Sequence, residues 1–317
     1  MRILITGASG FIGHHLCNYL KSKGHFIRAV DWKAPSYPFK SDEFHILDLR
    51  DYKNCLGMTA GMDQVYQLAA DMGGMGFIQD SKNQARILRN NLLININMIE
   101  ASRINDIKQY LYSSSACIYP THLQRKVDSP PLKEEDAYPA NPQDTYGWEK
   151  LVSEILTSSY KESYGMSVRI FRFHNIYGPE GSWNDGREKA PAALCRKIAI
   201  AKRDGKPTIE IWGDGDQRRS FCYITDCLKA LDLVMNGYYS KPINVGREDS
   251  IGINEMASII SFIAEVDLKY KHINGPQGVR GRNSDNTKFK EIYGWEPQIT
   301  MKEGLTKTYK WIESQLQ

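Results

Sequence analysis

Short runs of apolar and β-branched residues alternate with longer amphipathic segments over the first half of the chain. Helical periodicity is clearest over residues 83–104 and 144–160. The runs typical of strands cover residues 2–6, 26–31, 43–48, 63–70, 109–115 and 167–173. Strands that alternate with helices in this way build right-handed βαβ units around a parallel sheet. We therefore predict an α/β fold in which residues 1–173 form a doubly wound parallel sheet.

The pattern changes after residue 173, where polar loops rich in glycine separate shorter elements. Residues 178–188 and 275–286 are such loops. A strand is predicted at 209–212, and helices are predicted at 190–202, 225–236, 253–266 and from about 303 onward. We expect a smaller α/β C-terminal lobe, made of residues 174–219 and 247–317, to bind the substrate. Residues of about 220–246 are expected to join the first domain.

Composition narrows the class of protein. The chain has 317 residues, of which 41% are hydrophobic and 25% charged, as in folded globular proteins. The formal net charge of +4 is too small for a nucleic-acid-binding protein, but it suits an anionic small substrate. No apolar run is long enough to predict a membrane span. The chain opens on a strand without a basic leader, so we expect no secretory signal and a cytoplasmic protein.

The cysteines do not indicate a metal centre. None of the six belongs to a C-x-x-C pair, and none has histidines nearby at the spacing of metal ligands. In a cytoplasmic protein most of them should be reduced and buried. We therefore predict no metal site and expect any functional cysteine to act as a thiol.

The first strand runs into the glycine motif GASGFIG, which opens a helix. Gly7 allows a tight turn, Gly10 lets the backbone approach a pyrophosphate, and Gly13 allows close packing of helix on sheet. The helix N-terminus then faces the phosphate charge. Asp31 ends the second strand, where a carboxylate accepts hydrogen bonds from both ribose hydroxyls of NAD and repels the 2′-phosphate of NADP. The motif therefore predicts NAD.

A second motif places Tyr146 and Lys150 on one face of a helix, four residues apart. A cation beside a phenol lowers the phenol pKa, so Tyr146 is predicted to act as a base toward a carbinol proton. With the serines 113–115 and the glycine motif, this pair resembles the extended short-chain dehydrogenase/reductase family that acts on nucleotide sugars. The predicted cofactor site comprises Gly7, Gly10, Phe11, Ile12, Gly13, Asp31, Asp48, Tyr146 and Lys150.

Members of that family share hydride removal from sugar C4 and differ in the fate of the ketone that this step forms. In the 4,6-dehydratases, the segment that matches SSACIYP (114–120) carries an acid pair, whereas this chain has Ala116 and Cys117. This difference counts against a dehydratase. Simple 4-epimerases usually have a threonine at the cysteine position. A thiol, with an ordinary pKa of about 8.5, is suited to proton exchange next to a ketone.

Nearly the whole chain resembles the GDP-mannose 3,5-epimerase family. The most specific segments are AADMGGMGFIQ (69–79), SSACIYP (114–120), RFHNIYGP (172–179), GREKAPAALCRK (186–197), WGDGDQRRSF (212–221) and GVRGRNSDN (278–286). The resemblance implies an isomerase that oxidises C4 of a GDP-hexose with NAD, inverts C3 and C5 next to the resulting ketone, and returns the hydride.

The resemblance also implies roles for individual residues. Tyr146 would remove the C4 hydroxyl proton, and Cys117 and Lys189 would be the acid/base groups on the two faces of the sugar ring. Ser115 would help to bind the enolate oxygen, so the implied catalytic set is Tyr146, Lys150, Cys117, Lys189 and Ser115. The implied substrate contacts are Gly74, Ser115, Ala116, Cys117, Asn175, Glu188, Lys189, Ala190, Lys197, Arg219 and Arg280, with Arg282 as the alternative to Arg280.

Two other functions stay open from the sequence. One is a 4-epimerase or a single-centre epimerase of another GDP- or UDP-sugar, because no residue by itself distinguishes guanine from uracil. The other is a catalytically silent NAD-binding regulatory protein, although such proteins commonly lack the tyrosine or the lysine. By analogy with the family, we expect a homodimer that forms a four-helix bundle from residues 83–104 and 144–163.

Overall fold

The structure is a computed structural model that describes residues 1–316. The strands are β1 (Arg2–Thr6), β2 (Phe26–Asp31), β3 (Glu43–Ile46), β4 (Gln64–Gln67), β5 (Gln109–Ser115), β6 (Val168–Phe173), β7 (Asn175–Tyr177), β8 (Thr208–Trp212), β9 (Arg218–Tyr223), β10 (Pro242–Val245), β11 (Ser250–Gly252), β12 (Lys269–Ile273) and β13 (Gly281–Arg282). The helices are α1 (Phe11–Ser22), α2 (Tyr52–Thr59), α3 (Met75–Ile78), α4 (Ser81–Ile104), α5 (Thr145–Tyr164), α6 (Ala190–Arg203), α7 (Ile224–Asn236), α8 (Ile253–Ala264), α9 (Thr287–Tyr293) and α10 (Met301–Gln315).

A seven-stranded sheet forms the first layer, in the order β10-β6-β5-β4-β1-β2-β3. All of its strand pairs are parallel, so the predicted doubly wound parallel sheet is confirmed. Helices cover both faces, which explains why Ile3, Leu4 and Ile5 of β1 are almost fully buried. The winding reverses between β1 and β4, and ligands of such sheets bind at the carboxyl ends of the strands at this point.

The second half of the chain adds smaller sheets and helices around this edge. Strand β9 pairs with β7, β11 and β13, and β8 pairs with β12. Helix α6 packs against α8 and α10. One hydrophobic core continues from Ile5 in β1 to Leu194 in α6 and Ile260 in α8. No helix in residues 1–316 combines the length and the apolar character that crossing a membrane requires.

Local hydrogen bonds move several element boundaries from their predicted positions. Strand β4 ends at Gln67 because Thr6 Oγ1 accepts hydrogen bonds from the backbone nitrogens of Leu68 and Ala69, at 3.0 and 3.1 Å. These bonds hold Leu68 and Ala69 close against Gly7. Helix α4 begins earlier than predicted because the carboxylate of Asp80 caps its first turn. Helix α2 was not predicted from the sequence.

Candidate active site

A cavity of about 1200 Å³ lies along the carboxyl ends of the central strands. It extends from the turn after β1 to the end of β8, between the parallel sheet and the second half of the chain. Every residue that the sequence predicts for the site lines it, with the exception of Arg280. Those lining residues are Gly7, Gly10, Phe11, Ile12, Gly13, Asp31, Asp48, Gly74, Ser115, Ala116, Cys117, Tyr146, Lys150, Asn175, Glu188, Lys189, Ala190, Lys197 and Arg219.

The glycine turn forms one end of this cavity. Gly7 has a φ of 66°, a left-handed conformation that side chains disfavour. A Cβ on Gly13 would overlap the carbonyl oxygen of Gly7. The first turn of α1 can therefore pack this closely against the Gly7 turn only with glycine at position 13. The free N–H groups at the start of α1 therefore lie at a surface that a diphosphate can approach.

Asp31 and Asp48 lie at the ends of the next two strand segments. Asp31 is buried, and its carboxylate accepts hydrogen bonds from the backbone nitrogens of Ser9 at 3.0 Å and Lys33 at 3.2 Å. Burial raises the pKa of Asp31, while these hydrogen bonds lower it. Asp48 binds Arg50, which lowers the pKa of Asp48. The turn and the fixed Asp31 carboxylate fit a dinucleotide without a 2′-phosphate, as NAD requires.

Tyr146 and Lys150 extend from α5 toward the end of β5. Both are buried, and the Lys150 Nζ donates a hydrogen bond of 2.9 Å to the carbonyl oxygen of Ser113. The same nitrogen lies 5.6 Å from the centroid of the Tyr146 ring. The helical spacing therefore brings the two groups together as predicted from the i, i+4 pattern.

Burial dominates the proton equilibria of this pair. It raises the pKa of Tyr146 well above its ordinary value, and the nearby Cys117 and Glu149 raise it further, whereas the Ser115 hydroxyl lowers it. Burial also lowers the pKa of Lys150. In this structure the net shift of the Tyr146 pKa is upward, because removal of the phenolate from water outweighs the opposing effects.

Cys117 lies in the short turn that follows β5. Its backbone nitrogen donates to Ser115 Oγ at 3.1 Å, and its Sγ accepts a hydrogen bond of 3.3 Å from Arg282 Nη1. Helix α5 packs directly on this turn. The contact is so close that a Cβ on Gly147 would overlap the carbonyl oxygen of Cys117. The thiol is partly exposed to the cavity.

Strand β13 directs Arg282 into the cavity, whereas Arg280, just before this strand, lies outside it. Arg280 forms an ion pair with Asp214 at 2.8 Å and does not line the cavity. Arg282 is buried, lines the cavity and donates to Gln124 as well as to Cys117. These positions favour Arg282 over Arg280 as the predicted substrate contact. Burial and Arg282 lower the pKa of Arg219, which indicates two close cations that an anion can bridge.

Lys189 and Glu188 immediately precede α6. Burial lowers the pKa of Lys189, while Cys117 and Cys227 raise it. The amine of Lys189 and the Cys117 thiol line the same cavity. Glu188 forms an ion pair with Arg196 at 2.7 Å, and within residues 1–316 its other carboxylate oxygen is buried without a hydrogen-bond partner. That oxygen is available to a polar group in the cavity.

The remaining predicted contacts lie around these groups. The backbone nitrogen of Gly74 donates to the carbonyl oxygen of Arg187 at 3.0 Å, which joins the loop before α3 to the segment before α6. Asn175 Nδ2 donates to the carbonyl oxygen of Ser220 at 3.0 Å. Lys197 Nζ donates to the carbonyl oxygen of Glu210 at 2.6 Å.

Several aromatic residues of the cavity were not predicted from the sequence, and Trp212 is one of them. Trp212 ends β8, lines the cavity and is 44% exposed, with Lys197 Nζ 5.9 Å from its ring centroid. The alternation in TIEIW gives the signal, because it places Trp212 on the polar face of the strand, where a large aromatic side chain is unusual.

One group of ligand-type side chains occurs at the start of α1, in the part of the chain that the structure describes. The ligand atoms of His14, His15 and Glu180 lie within 4.8 Å of one another. His14 Nε2 is 2.9 Å from the Glu180 carboxylate, and its Nδ1 is 3.0 Å from the carbonyl oxygen of Gly10. The three residues could hold a cation, but these hydrogen bonds also satisfy them without one.

The assembled site can perform two kinds of chemistry. A phenol, an amine and a dinucleotide-binding turn together can remove and return a hydride at a carbinol carbon. A thiol and a second amine in the same cavity can exchange protons next to the resulting ketone. The guanidinium groups of Arg219 and Arg282 favour a substrate that carries phosphate.

Comparisons with known proteins agree with this geometry. Residues 3–246 match the NAD dependent epimerase/dehydratase family. The chain is 49% identical over 320 residues to GDP-mannose 3,5-epimerase of Arabidopsis thaliana, and the match covers 100% of this chain and 83% of that protein.

Solved structures share the fold over the full length. UDP-glucose 4-epimerase of Thermotoga maritima, solved with UDP-glucose, has a TM-score of 0.89 at 24% identity, with 100% of both chains covered. MoeE5 in complex with UDP-glucose and NAD has a TM-score of 0.85 at 25% identity, again with 100% of both chains covered. This chain therefore belongs to the NAD dependent epimerase/dehydratase family and, within it, to the GDP-mannose 3,5-epimerase family.

Proposed function

We propose that this protein epimerises GDP-mannose at C3 and C5 through a transient 4-keto sugar. Family membership makes it an NAD-dependent nucleotide-sugar epimerase, an isomerase. The observation that carries the finer assignment is that Cys117 and Lys189 line the same cavity as Tyr146 and Lys150. An epimerase that acts only at C4 needs Tyr146 and Lys150 alone. The presence of all four groups also argues against a silent NAD-binding protein.

The roles of the residues follow from their chemistry. When bound, NAD supplies the hydride acceptor, and later the hydride donor, at sugar C4. Tyr146 takes the proton of the C4 hydroxyl, and the adjacent Lys150 ammonium stabilises the phenolate. The C4 ketone acidifies the hydrogens on both neighbouring carbons. Cys117 and Lys189 then remove a proton from one face and return a proton to the other, while Ser115 donates to the enolate oxygen.

Substrate binding is assigned to the second half of the cavity. Arg219, Arg282 and Lys197 bind the diphosphate, because their cationic groups complement its charge. The sugar is held by Asn175 and by the free carboxylate oxygen of Glu188, together with Gly74, Ala116 and Ala190. In this proposal residues 1–173 and about 220–246 form the NAD-binding domain, while 174–219 and 247–317 form the substrate-binding lobe. The position of β10 in the large sheet supports that division.

Proton NMR of the purified protein with GDP-mannose in deuterated water tests the proposed function. We expect deuterium to appear at both C3 and C5, with new signals for the inverted sugars. Label at C5 alone would indicate a single-centre epimerase, and inversion at C4 alone would indicate a 4-epimerase. A parallel sample with UDP-mannose, which differs from GDP-mannose only in the base, tests the choice of base. No exchange with either nucleotide sugar would contradict the assignment.

We further propose that two copies of the chain form a homodimer through α4 and α5. These helices pack against each other and carry an apolar patch, defined as Leu93, Ile96, Val152 and Ile155. Each of the four side chains is between 40% and 50% exposed. On each helix the two residues are three apart and therefore share a face. An exposed apolar patch of this kind is typical of a subunit interface.

Replacement of Val152 with glutamate is expected to convert the dimer into monomers, because it places a charge in the apolar patch. Light scattering on the eluted protein measures the mass. The matched control is Phe262→Glu, which changes another exposed apolar side chain, on α8, and should leave the dimer intact. A wild-type protein that elutes as a monomer would overturn the proposal.

We also infer that the protein acts in a reducing compartment, such as the cytoplasm. All six cysteines are free thiols, and five of them are buried. The role given to Cys117 requires a thiol, which oxidising compartments tend to convert to a disulfide.

A further inference from the structure

A buried carboxylate that the proposed chemistry does not use lies directly next to the catalytic lysine. Glu149 precedes Lys150 on α5, and its side chain is 0% exposed. It lies against α4 and is withdrawn from water on all sides. A buried carboxylate stays ionised only where the protein supplies hydrogen bonds or opposite charge.

The hydrogen-bond partners of Glu149 are all uncharged. Asn95 Nδ2 donates to Oε1 at 2.8 Å, Ser153 Oγ donates to Oε1 at 3.0 Å, and Asn91 Nδ2 donates to Oε2 at 3.1 Å. Because none of them is a cation, the negative charge is stabilised without being neutralised, and its field acts on the groups around it.

The orientation of both asparagines is set from outside this cluster. Asn91 Oδ1 accepts a hydrogen bond of 2.7 Å from the backbone nitrogen of Asp71, and Asn95 Oδ1 accepts one of 2.9 Å from Gln67 Nε2. With their oxygens occupied, the asparagines must direct their NH₂ groups at Glu149. Strand β4 and the loop before α3 therefore orient a cluster of hydrogen-bond donors, and a carboxylate is the side chain that accepts from them best.

Lys150 is likewise buried without an oppositely charged partner, but it is a cation. Its Nζ donates to the Ser113 carbonyl oxygen and lies 5.1 and 5.6 Å from the ring centroids of Tyr112 and Tyr146. Across residues 1–316, no carboxylate forms a salt bridge with it. Burial lowers the pKa of Lys150, and Glu149 exerts the largest opposing effect.

We propose that Glu149 is a positioning residue for the epimerisation: its un-neutralised charge keeps Lys150 protonated and sets the pH range in which Tyr146 and Lys150 work. This inference rests on the proposed function. Glu149 acts through its neighbours and does not touch the substrate. The titratable groups on which its charge acts are Tyr112 on β5 and Tyr146 and Lys150 on α5. Cys117 in the turn after β5 and Glu154 on α5 act on the same Lys150, and Asp71 in the loop before α3 lies beyond Asn91.

The test is the pH profile of a Glu149→Gln variant in its NAD-bound form. Loss of a negative charge favours the deprotonated form of both neighbours, so the pKa of Tyr146 and the pKa of Lys150 both fall. The acid limb, which reports deprotonation of Tyr146, and the basic limb, which reports deprotonation of Lys150, should therefore move together to lower pH, by about one unit. A purely structural role would lower the rate at every pH and leave both limbs in place.

The matched control is Ser153→Ala, which removes one hydrogen bond from Glu149 but keeps the charge. Its limbs should stay at the wild-type pH. Should the single glutamine variant fail to fold, the exchange Asn91→Asp/Glu149→Gln keeps an amide–carboxylate pair and moves the charge onto α4. A smaller displacement in the same direction is expected there. Limbs at the wild-type position in the folded variant would overturn the role of Glu149.

Two readouts separate this inference from the proposed function. Appearance of NADH absorbance after addition of GDP-mannose, or of UDP-glucose, reports the hydride step, which needs only Tyr146 and Lys150. Deuterium at C3 and C5 reports the proton exchanges. A missing exchange in the wild type counts against the proposed function, whereas an undisplaced profile of the hydride step counts against Glu149.

Discussion

Replacement of Tyr146 with phenylalanine is expected to abolish both the hydride step and all proton exchange on the sugar. The substitution removes only the hydroxyl oxygen from a buried ring, so α5 and the cavity should keep their shape. Without that oxygen nothing else in the proposal takes the C4 proton. A positioned general base is worth roughly 10²–10⁴-fold in rate, and the later steps depend on the ketone that this one forms. Deuterium incorporation and NADH absorbance with GDP-mannose measure the loss.

The control for this variant is Tyr66→Phe, which removes the hydroxyl of another buried tyrosine. Tyr66 lies in β4 and does not line the cavity, so the activity should stay near that of the wild type. NAD binding, followed by fluorescence, should persist in both variants. Turnover close to normal in Tyr146→Phe would remove this residue from the chemistry.

Replacement of Cys117 with alanine is expected to stop inversion at C3 and C5 while the hydride step at C4 survives. The reason is that the proposed mechanism uses Cys117 and Lys189 for proton exchange only, whereas Tyr146 and Lys150 form a separate pair on α5. We expect a loss of at least about 10²-fold in deuterium incorporation, the size of a missing acid/base group. Transient NADH absorbance with GDP-mannose should remain.

The matched control is Cys55→Ala, which removes a buried thiol that does not line the cavity. Burial raises the pKa of Cys55 to about 12, so little thiolate forms near neutral pH. The variant can lose stability through the cavity it leaves, yet its C3 and C5 exchange should match the wild type. Unchanged exchange in Cys117→Ala would exclude Cys117 from catalysis.

The predictions that agree best with the structure concern contacts between residues close in sequence. The strand Arg2–Thr6, the glycine turn and α1 form one continuous unit whose spacing specifies the geometry. Tyr146 and Lys150 share a helix face because of the period of the helix. Boundaries were less predictable, since β4 ends at Gln67 through hydrogen bonds to Thr6, 61 residues earlier.

The positions of Arg280 and Arg282 depend on residues that are distant in the sequence. The two arginines are two residues apart in a segment without a periodic pattern, which was predicted as a loop and forms β13 at Gly281–Arg282. Each arginine is positioned by a distant partner. Asp214 holds Arg280 outside the cavity, and Gln124, 158 residues away in sequence, directs Arg282 toward Cys117. No property of the loop sequence distinguishes them.

The sequence by itself determined the parallel sheet, the dinucleotide turn and the identity of the reactive groups, because periodicity and residue chemistry are local properties. Only the tertiary structure decided their electrostatic environment. The pKa of Tyr146 is raised because it is buried, with Ile78 of α3 and Ile87 of α4 packed against it. Glu149 lies in a polar pocket because Asn91 and Asn95, on a helix more than 50 residues earlier, surround its carboxylate. Burial and long-range hydrogen bonds depend on how the whole chain packs, and no short segment encodes them.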